Sequence, residues 1–203
     1  MRAIVFDLDG TLLAFDRPYD AVLADAIEEE GAQPTDETLE AYFDAFTERF
    51  RACEPDPVHT AFDDIDVDAD AESLTDSLRR HEAKLCRPPA NATADLERLS
   101  EDGYALGVLT NGVREWQLTK LRAAGLEEYF DAVVVSYDVG AHKPDPAPFE
   151  TLEAELPAAE YAMVGDSESD LEGASAVGWE AYRYSGGGFG ELPDVFGWES
   201  RGR

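Results

Sequence analysis

Ile4-Val5-Phe6-Asp7-Leu8-Asp9-Gly10-Thr11 is the stretch whose reading decides the fold of this chain. The apolar run from Ala3 to Phe6 predicts a buried strand, which ends abruptly in two acids at alternate positions and then a glycine. Carboxylates at the end of a buried strand are costly unless something cationic meets them. In an open α/β sheet the carboxyl ends of the strands are where ligands sit. Alternate strand residues face opposite sides, but Gly10 permits a sharp turn that can carry both acids toward one crevice.

Beyond Pro88-Pro89 the chain alternates between helix and strand patterns. Helices are predicted over Thr93–Asp102, Val113–Ala124, Ala147–Leu156 and Leu171–Val177. Strands are predicted over Tyr104–Leu109, Ala132–Ser136, Tyr161–Val164 and Glu180–Tyr184. This rhythm calls for a parallel sheet with crossover helices, a Rossmann-like doubly wound α/β fold to which the first strand also belongs. The intervening stretch reads as all-helical. Tyr19–Glu30 carries Val22, Leu23, Ala26 and Ile27, and Thr35 is placed to cap a helix bearing Leu39, Tyr42, Phe43, Phe46 and Phe50. Pro55 and Pro57 break that pattern, and a further helix runs from about Ala71 to Cys86. The expected organisation is therefore an α/β core formed by residues 1–14 and 86–203, with a helical insertion at residues 15–85. Ser185 to Arg203, rich in glycine and polar residues, reads as irregular.

Composition restricts the functional classes. In 203 residues, 45 acids against 16 bases leave a net charge of −29, and the only lysines are Lys84, Lys120 and Lys143. The acids are spread along the chain rather than gathered in a tail. Self-repulsion of this size destabilises a compact state in dilute buffer, and at about 1 M salt a screening length of about 3 Å removes most of it. A protein of a high-salt, halophilic cytoplasm is expected. The same charge argues against nucleic-acid and anionic-membrane partners. No apolar run approaches the roughly 20 residues that span a bilayer, and Met1-Arg2-Ala3 leads straight into a strand without a signal-peptide pattern. Cys53 and Cys86 lack metal-ligand spacing and read as reduced cytoplasmic thiols.

Three further strand ends carry polar residues on the same edge as Asp7 and Asp9: Thr110-Asn111-Gly112, His142-Lys143-Pro144-Asp145-Pro146 after Ser136, and Gly165-Asp166-Ser167-Glu168-Ser169-Asp170. Parallel topology brings all of them to one crevice. Clustered carboxylates raise one another's pKa, and a hard divalent cation such as Mg²⁺ resolves the repulsion. A hydroxyl, backbone N–H groups and one ammonium can then hold phosphoryl oxygens, so the constellation suits phosphoryl transfer. Asp63 to Asp70 looks superficially like a calcium loop but lacks the glycine and terminal glutamate of an EF-hand, and reads as a hydrated acidic loop.

With these positions in view the chain resembles the haloacid-dehalogenase-like (HAD) hydrolases along nearly its whole length. Motif I is Asp7-Leu8-Asp9-Gly10-Thr11, motif II begins at Thr110, motif III is Lys143 within Lys-Pro-Asp-Pro, and motif IV is Gly165-Asp166-Ser167 with Asp170. The helical insertion corresponds to the family's cap. The resemblance implies that Asp7 attacks phosphorus to give an aspartyl-phosphate. It implies that Asp9 protonates the leaving oxygen and later activates water. Thr110 and Lys143 would bind phosphoryl oxygens, assisted by Asn111. Mg²⁺ would be held by Asp7, the backbone carbonyl of Asp9 and Asp166, with Asp170 in support. An acid at position 9 favours phosphate esters over the metal-free dehalogenation that names the superfamily. The expected activity is Mg²⁺-dependent hydrolysis of a small phosphate monoester. A phosphomutase of the same superfamily is one alternative, and a non-catalytic acidic binding module on the same fold is another. Arg17, at the entry to the insertion, is a candidate contact for a distal anionic group of the substrate.

Overall fold

A computed structural model describes residues 1–198. The chain divides into two compact units, Met1–Ala14 with Arg87–Arg203, and Phe15–Cys86. Strand β1 (Arg2–Phe6) opens the first unit, and the chain passes through β2 (Ala14–Phe15) into the second. It returns through β3 (Cys86–Arg87), which pairs with β2 as a short two-stranded ribbon.

The inserted unit contains α1 (Tyr19–Glu29), α2 (Asp36–Arg51), α3 (Pro57–Asp63) and α4 (Ala71–Leu85). Helix α1 buries Val22, Leu23, Ala26 and Ile27, one face at helical spacing, and α4 contributes Leu74 and Leu78. The Ser77 hydroxyl of α4 donates to the Ala26 carbonyl at 3.1 Å, so this polar group is satisfied inside the helix pair. Thr35 caps α2 by accepting from the Thr38 N–H at 3.1 Å, as its spacing predicts. Of the aromatic stripe on α2 only Tyr42 is buried, its ring centroid 4.5 Å from Phe62 of α3; Phe43, Phe46 and Phe50 are partly exposed. Helix α3 corrects the expectation of a break at Pro57. Proline fits the first turn, where no N–H is needed, so Pro57 opens a helix instead. The acidic run before α4 is divided among local tasks. Asp64 pairs with Arg49, and Asp70 caps α4 by accepting from the Ser73 N–H at 3.0 Å.

The remaining elements are α5 (Ala92–Glu101), β4 (Ala105–Thr110), α6 (Arg114–Ala123), β5 (Ala132–Val135), α7 (Ser136–Val139), α8 (Pro146–Glu155), β6 (Glu160–Gly165), α9 (Glu168–Ala176), β7 (Glu180–Arg183) and α10 (Leu192–Val195). Ser136, expected at the end of a strand, starts the short helix α7. Five parallel strands form one sheet in the order β5-β4-β1-β6-β7. This is the α/β Rossmann-like architecture expected from the alternating pattern. The register pairs Phe6 with Val108 on one side and with Val164 on the other, so the chain leaves all three central strands at one edge. Because β1 has neighbours that wind away in opposite directions, that edge is a topological switch point.

Ala3 and Val5 of β1 lie in the core cluster with Leu109, Val134, Met163, Phe149, Leu152, Ala174 and Trp179. Phe6, of opposite parity, packs edge-on against Phe130 and Phe189, with ring centroids 6.1 and 5.1 Å away. Phe189 belongs to the C-terminal stretch expected to be irregular, and its described residues are irregular apart from the four of α10 but not unpacked. The stretch buries Phe189, Leu192 and Trp198, forms α10, and stacks Trp198 on Tyr104. Its scattered aromatics carry no helical or strand period, which hides their burial from a pattern-based reading. Residues 199–203 of the same stretch lie outside the described residues.

Candidate active site

Beyond Phe6 the backbone makes one more sheet bond, from the Asp7 N–H to the Val164 carbonyl at 2.9 Å, and then turns. Leu13 N–H closes the turn onto Leu8 O at 2.9 Å, and Gly10 N–H bonds to Leu13 O at 2.8 Å. Gly10 has φ +94°, and a Cβ there would lie 2.4 Å from an Asp166 carboxylate oxygen. Glycine is thus required twice at this point, for the turn and for the approach of the β6 loop.

Asp7 is buried, and so are Lys143 and Asp170. The Lys143 ammonium lies 2.6 Å from Asp7 Oδ1, 2.6 Å from Asp170 Oδ1 and 2.7 Å from the Leu109 carbonyl. Burial pushes the Asp7 carboxyl up to about 7, and the attraction of Lys143 offsets this only in part while Asp170 and Asp9 add to it. Burial would lower the Lys143 ammonium, but Asp7 and Asp170 beside it more than compensate and raise it above its usual value.

Asn111 fixes the loop that carries Lys143. Its side chain accepts from the Lys143 N–H at 2.9 Å and donates to the Lys143 carbonyl at 3.2 Å. Ser136 ties the same two loops together. Its hydroxyl oxygen accepts from the Gly112 N–H at 2.9 Å and lies 2.8 Å from His142 Nδ1. Asn111, expected to assist phosphoryl binding, here anchors the backbone of the lysine that would meet the phosphoryl group.

Asp170 belongs to a capping box at the start of α9. Its Oδ2 accepts from the Ser167 hydroxyl at 2.6 Å and the Ser167 N–H at 3.0 Å. Its buried Oδ1 has the Lys143 ammonium beside it but no aligned hydrogen bond. Exposed Asp166 receives a long contact from the Thr11 hydroxyl at 3.4 Å, while Arg183 donates to its backbone carbonyl at 2.8 Å. One oxygen each from Asp7, Asp166 and Asp170 lie within 4.8 Å of one another. Three carboxylates against one ammonium leave an excess of negative charge. All-oxygen donors carrying that excess charge fit a hard divalent cation.

Asp9 has partners of its own on α6. Its carboxylate is gripped by Lys120, whose ammonium lies 2.5 and 2.6 Å from the two oxygens, and by Gln117 Nε2 at 2.8 Å. Gln117 also donates to the Thr110 hydroxyl oxygen at 2.7 Å. Neither residue is among the sequence-derived candidates. The available signal was Lys120 itself, one of three lysines, on the helix directly after Thr110 and three residues from Gln117. Of the candidates, Asp7, Asp9, Thr110, Asn111, Lys143, Asp166 and Asp170 share this network within the α/β unit. Arg17 lies in the inserted unit, where it pairs with Asp25 at 2.8 Å and donates to the Ala21 carbonyl.

The comparisons with known proteins converge on the same architecture. Residues 4–183 match the family described as haloacid dehalogenase-like hydrolase. Pyrophosphatase PpaX of Halalkalibacterium halodurans is 28% identical over 186 residues, covering 88% of this chain and 80% of that protein. The crystal structure of a HAD phosphatase from Thermococcus onnurineus superposes with a TM-score of 0.69 at 29% identity, over 98% of this chain and 100% of that one. The Bacillus subtilis putative HAD-hydrolase YfnB, solved bound to magnesium, gives a TM-score of 0.64 at 25% identity, over 89% and 85% of the two chains. This chain belongs to the haloacid dehalogenase-like hydrolases.

Proposed function

We propose that the chain is a Mg²⁺-dependent phosphatase that hydrolyses a small phosphate monoester through an aspartyl-phosphate on Asp7. The observation that carries this reading is the buried Asp7 carboxylate, held by Lys143 in a cluster with Asp166 and Asp170. Asp7, Asp166 and Asp170 are the residues that would hold the cation. When bound, it would offset their charge and neutralise the phosphoryl oxygens. Asp7 attacks phosphorus, and Lys143 orients its carboxylate and meets the negative charge of the transferred group. Asp9 protonates the leaving oxygen and then takes a proton from the water that hydrolyses the aspartyl-phosphate. Thr110, at the end of β4, donates its hydroxyl to a phosphoryl oxygen.

The relatives named pyrophosphatase and HAD phosphatase support the reaction class, and YfnB, bound to magnesium, supports the metal. The inserted helical unit acts as the family's cap, closing off bulk water and supplying specificity, with Arg17 a contact for a distal anionic group. No helix among the described residues is long and apolar enough to cross a membrane, and the charge of −29 agrees with a cytoplasmic enzyme from a high-salt cell. The test is hydrolysis of p-nitrophenyl phosphate in molar KCl with and without Mg²⁺. The reading predicts turnover that EDTA abolishes and Mg²⁺ restores. Turnover indifferent to the metal, or none toward any phosphate ester in a metabolite panel, overturns it.

A further inference from the structure

We propose that Gln117 and Lys120 are positioning residues, which together aim the Asp9 carboxylate at the leaving oxygen and the Thr110 hydroxyl at the phosphoryl group. The inference rests on the phosphatase reading above and deepens it.

Gln117 and Lys120 lie three residues apart on α6 and therefore share a face. Both are buried, which is uncommon for lysine unless its charge is met. The Lys120 ammonium contacts both oxygens of Asp9, and Gln117 adds a third contact to Oδ2. Two contacts fix the plane of a carboxylate better than one, and the third opposes rotation about its stem. The Asp9 side chain remains 42% exposed, so the grip leaves it open to an incoming group.

The amide of Gln117 has one orientation available. Its nitrogen faces Asp9 Oδ2 at 2.8 Å and the Asn111 carbonyl at 3.2 Å, both of which only accept. The third neighbour, Thr110 Oγ1 at 2.7 Å, cannot donate to an amide nitrogen that accepts nothing, and the two N–H groups of Gln117 are shared among the three oxygens. The threonine proton is thereby directed away from Gln117 and is free for another acceptor, the role that phosphoryl binding requires. The chain also keeps the space open. A Cβ on Gly112 would fall 2.7 Å from the Gln117 amide, so any larger residue there would displace it. One helix face thus orients a proton donor and an acid–base group on two different strand ends.

The experiment compares kcat/KM for p-nitrophenyl phosphate and a primary alkyl phosphate in Lys120→Met, Lys120→Arg and Gln117→Met, alongside the parent enzyme. This ratio reports the steps through departure of the leaving group. p-Nitrophenolate leaves without a proton, whereas an alkoxide needs one. A misaimed Asp9 should cost the alkyl ester about tenfold or more beyond its effect on the aryl ester, a fraction of what a general acid supplies. Lys120→Arg, which keeps the charge, should recover part of that loss. Gln117→Met should weaken inhibition by inorganic phosphate by up to about tenfold, the worth of one hydrogen bond. Thermal melts and Mg²⁺ titrations of each variant establish the folded fraction. If Lys120→Met does not fold, Lys120→Gln and Gln117→Met take its place. Equal losses for both esters, or none, overturn the inference, as does unchanged phosphate inhibition in Gln117→Met. Failure of the parent enzyme to turn over either ester would instead refute the phosphatase reading itself.

Discussion

Asp7 illustrates how burial, rather than residue type, sets the behaviour of a carboxylate. Its folded pKa, about 7, lies above its usual 3.8, so the folded chain holds the proton more tightly than the unfolded chain does. The stabilisation this gives is complete below the usual value and is lost as pH rises through about 7. Metal-free protein should therefore lose thermal stability across that window more steeply than Asp7→Asn, which has nothing to titrate there. Parallel slopes in metal-free melts of the two proteins would contradict the assignment. At this scale the motif positions stood out in the sequence, because Asp7 and Asp9 follow β1, Thr110 ends β4, Asp166 follows β6, and Lys143 and Asp170 come a few residues further along, after α7 and within the first turn of α9. The finer division of labour did not. That Asn111 serves the Lys143 backbone, and that Asp9 meets Gln117 and Lys120, depends on packing between segments far apart in the chain.

The loop after β1 and the helices around it show where pattern reading succeeds and where it stops. The strands follow from apolar runs bounded by turn residues, and the α1 and α4 faces follow from helical spacing. Helix α3 went unread because proline marks both the end of one helix and the start of the next. The C-terminal aromatics went unread because their burial comes from tertiary contacts with no local period, Phe189 closing over Phe6 and Trp198 stacking on Tyr104. Gly10 belongs to this scale, since its role is the geometry of a turn. Gly10→Ala must accommodate both the positive φ and the contact with Asp166, which should destabilise the protein by about 1–3 kcal/mol. It should also weaken Mg²⁺ binding. Urea unfolding and a Mg²⁺ titration measure the two effects, and a variant with unaltered stability and metal affinity would show that the turn is slack.

For the whole molecule the dominant property is charge. A net −29 opposes compaction in dilute buffer, and screening lengths of about 3 Å near 1 M salt relieve the opposition. The melting temperature should rise from low to molar KCl, and a flat or falling curve would remove the halophilic reading. Substrate also carries negative charge, so the local cations of the site must work against the field of the entire chain. Salt should accordingly lower KM for a phosphate ester as well as raise stability. Salt-independent steady-state KM values for p-nitrophenyl phosphate would show that the global field does not reach the site. The central claim is that Asp7 carries the phosphoryl group. Acid quenching during turnover of a phosphate ester with Mg²⁺, followed by borohydride reduction and peptide mass analysis, tests it directly. The account predicts a reduced acyl-phosphate product at Asp7, formed only with substrate and metal and absent from Asp7→Asn. A phosphoryl group trapped at any other residue, or full turnover by Asp7→Asn, would contradict it.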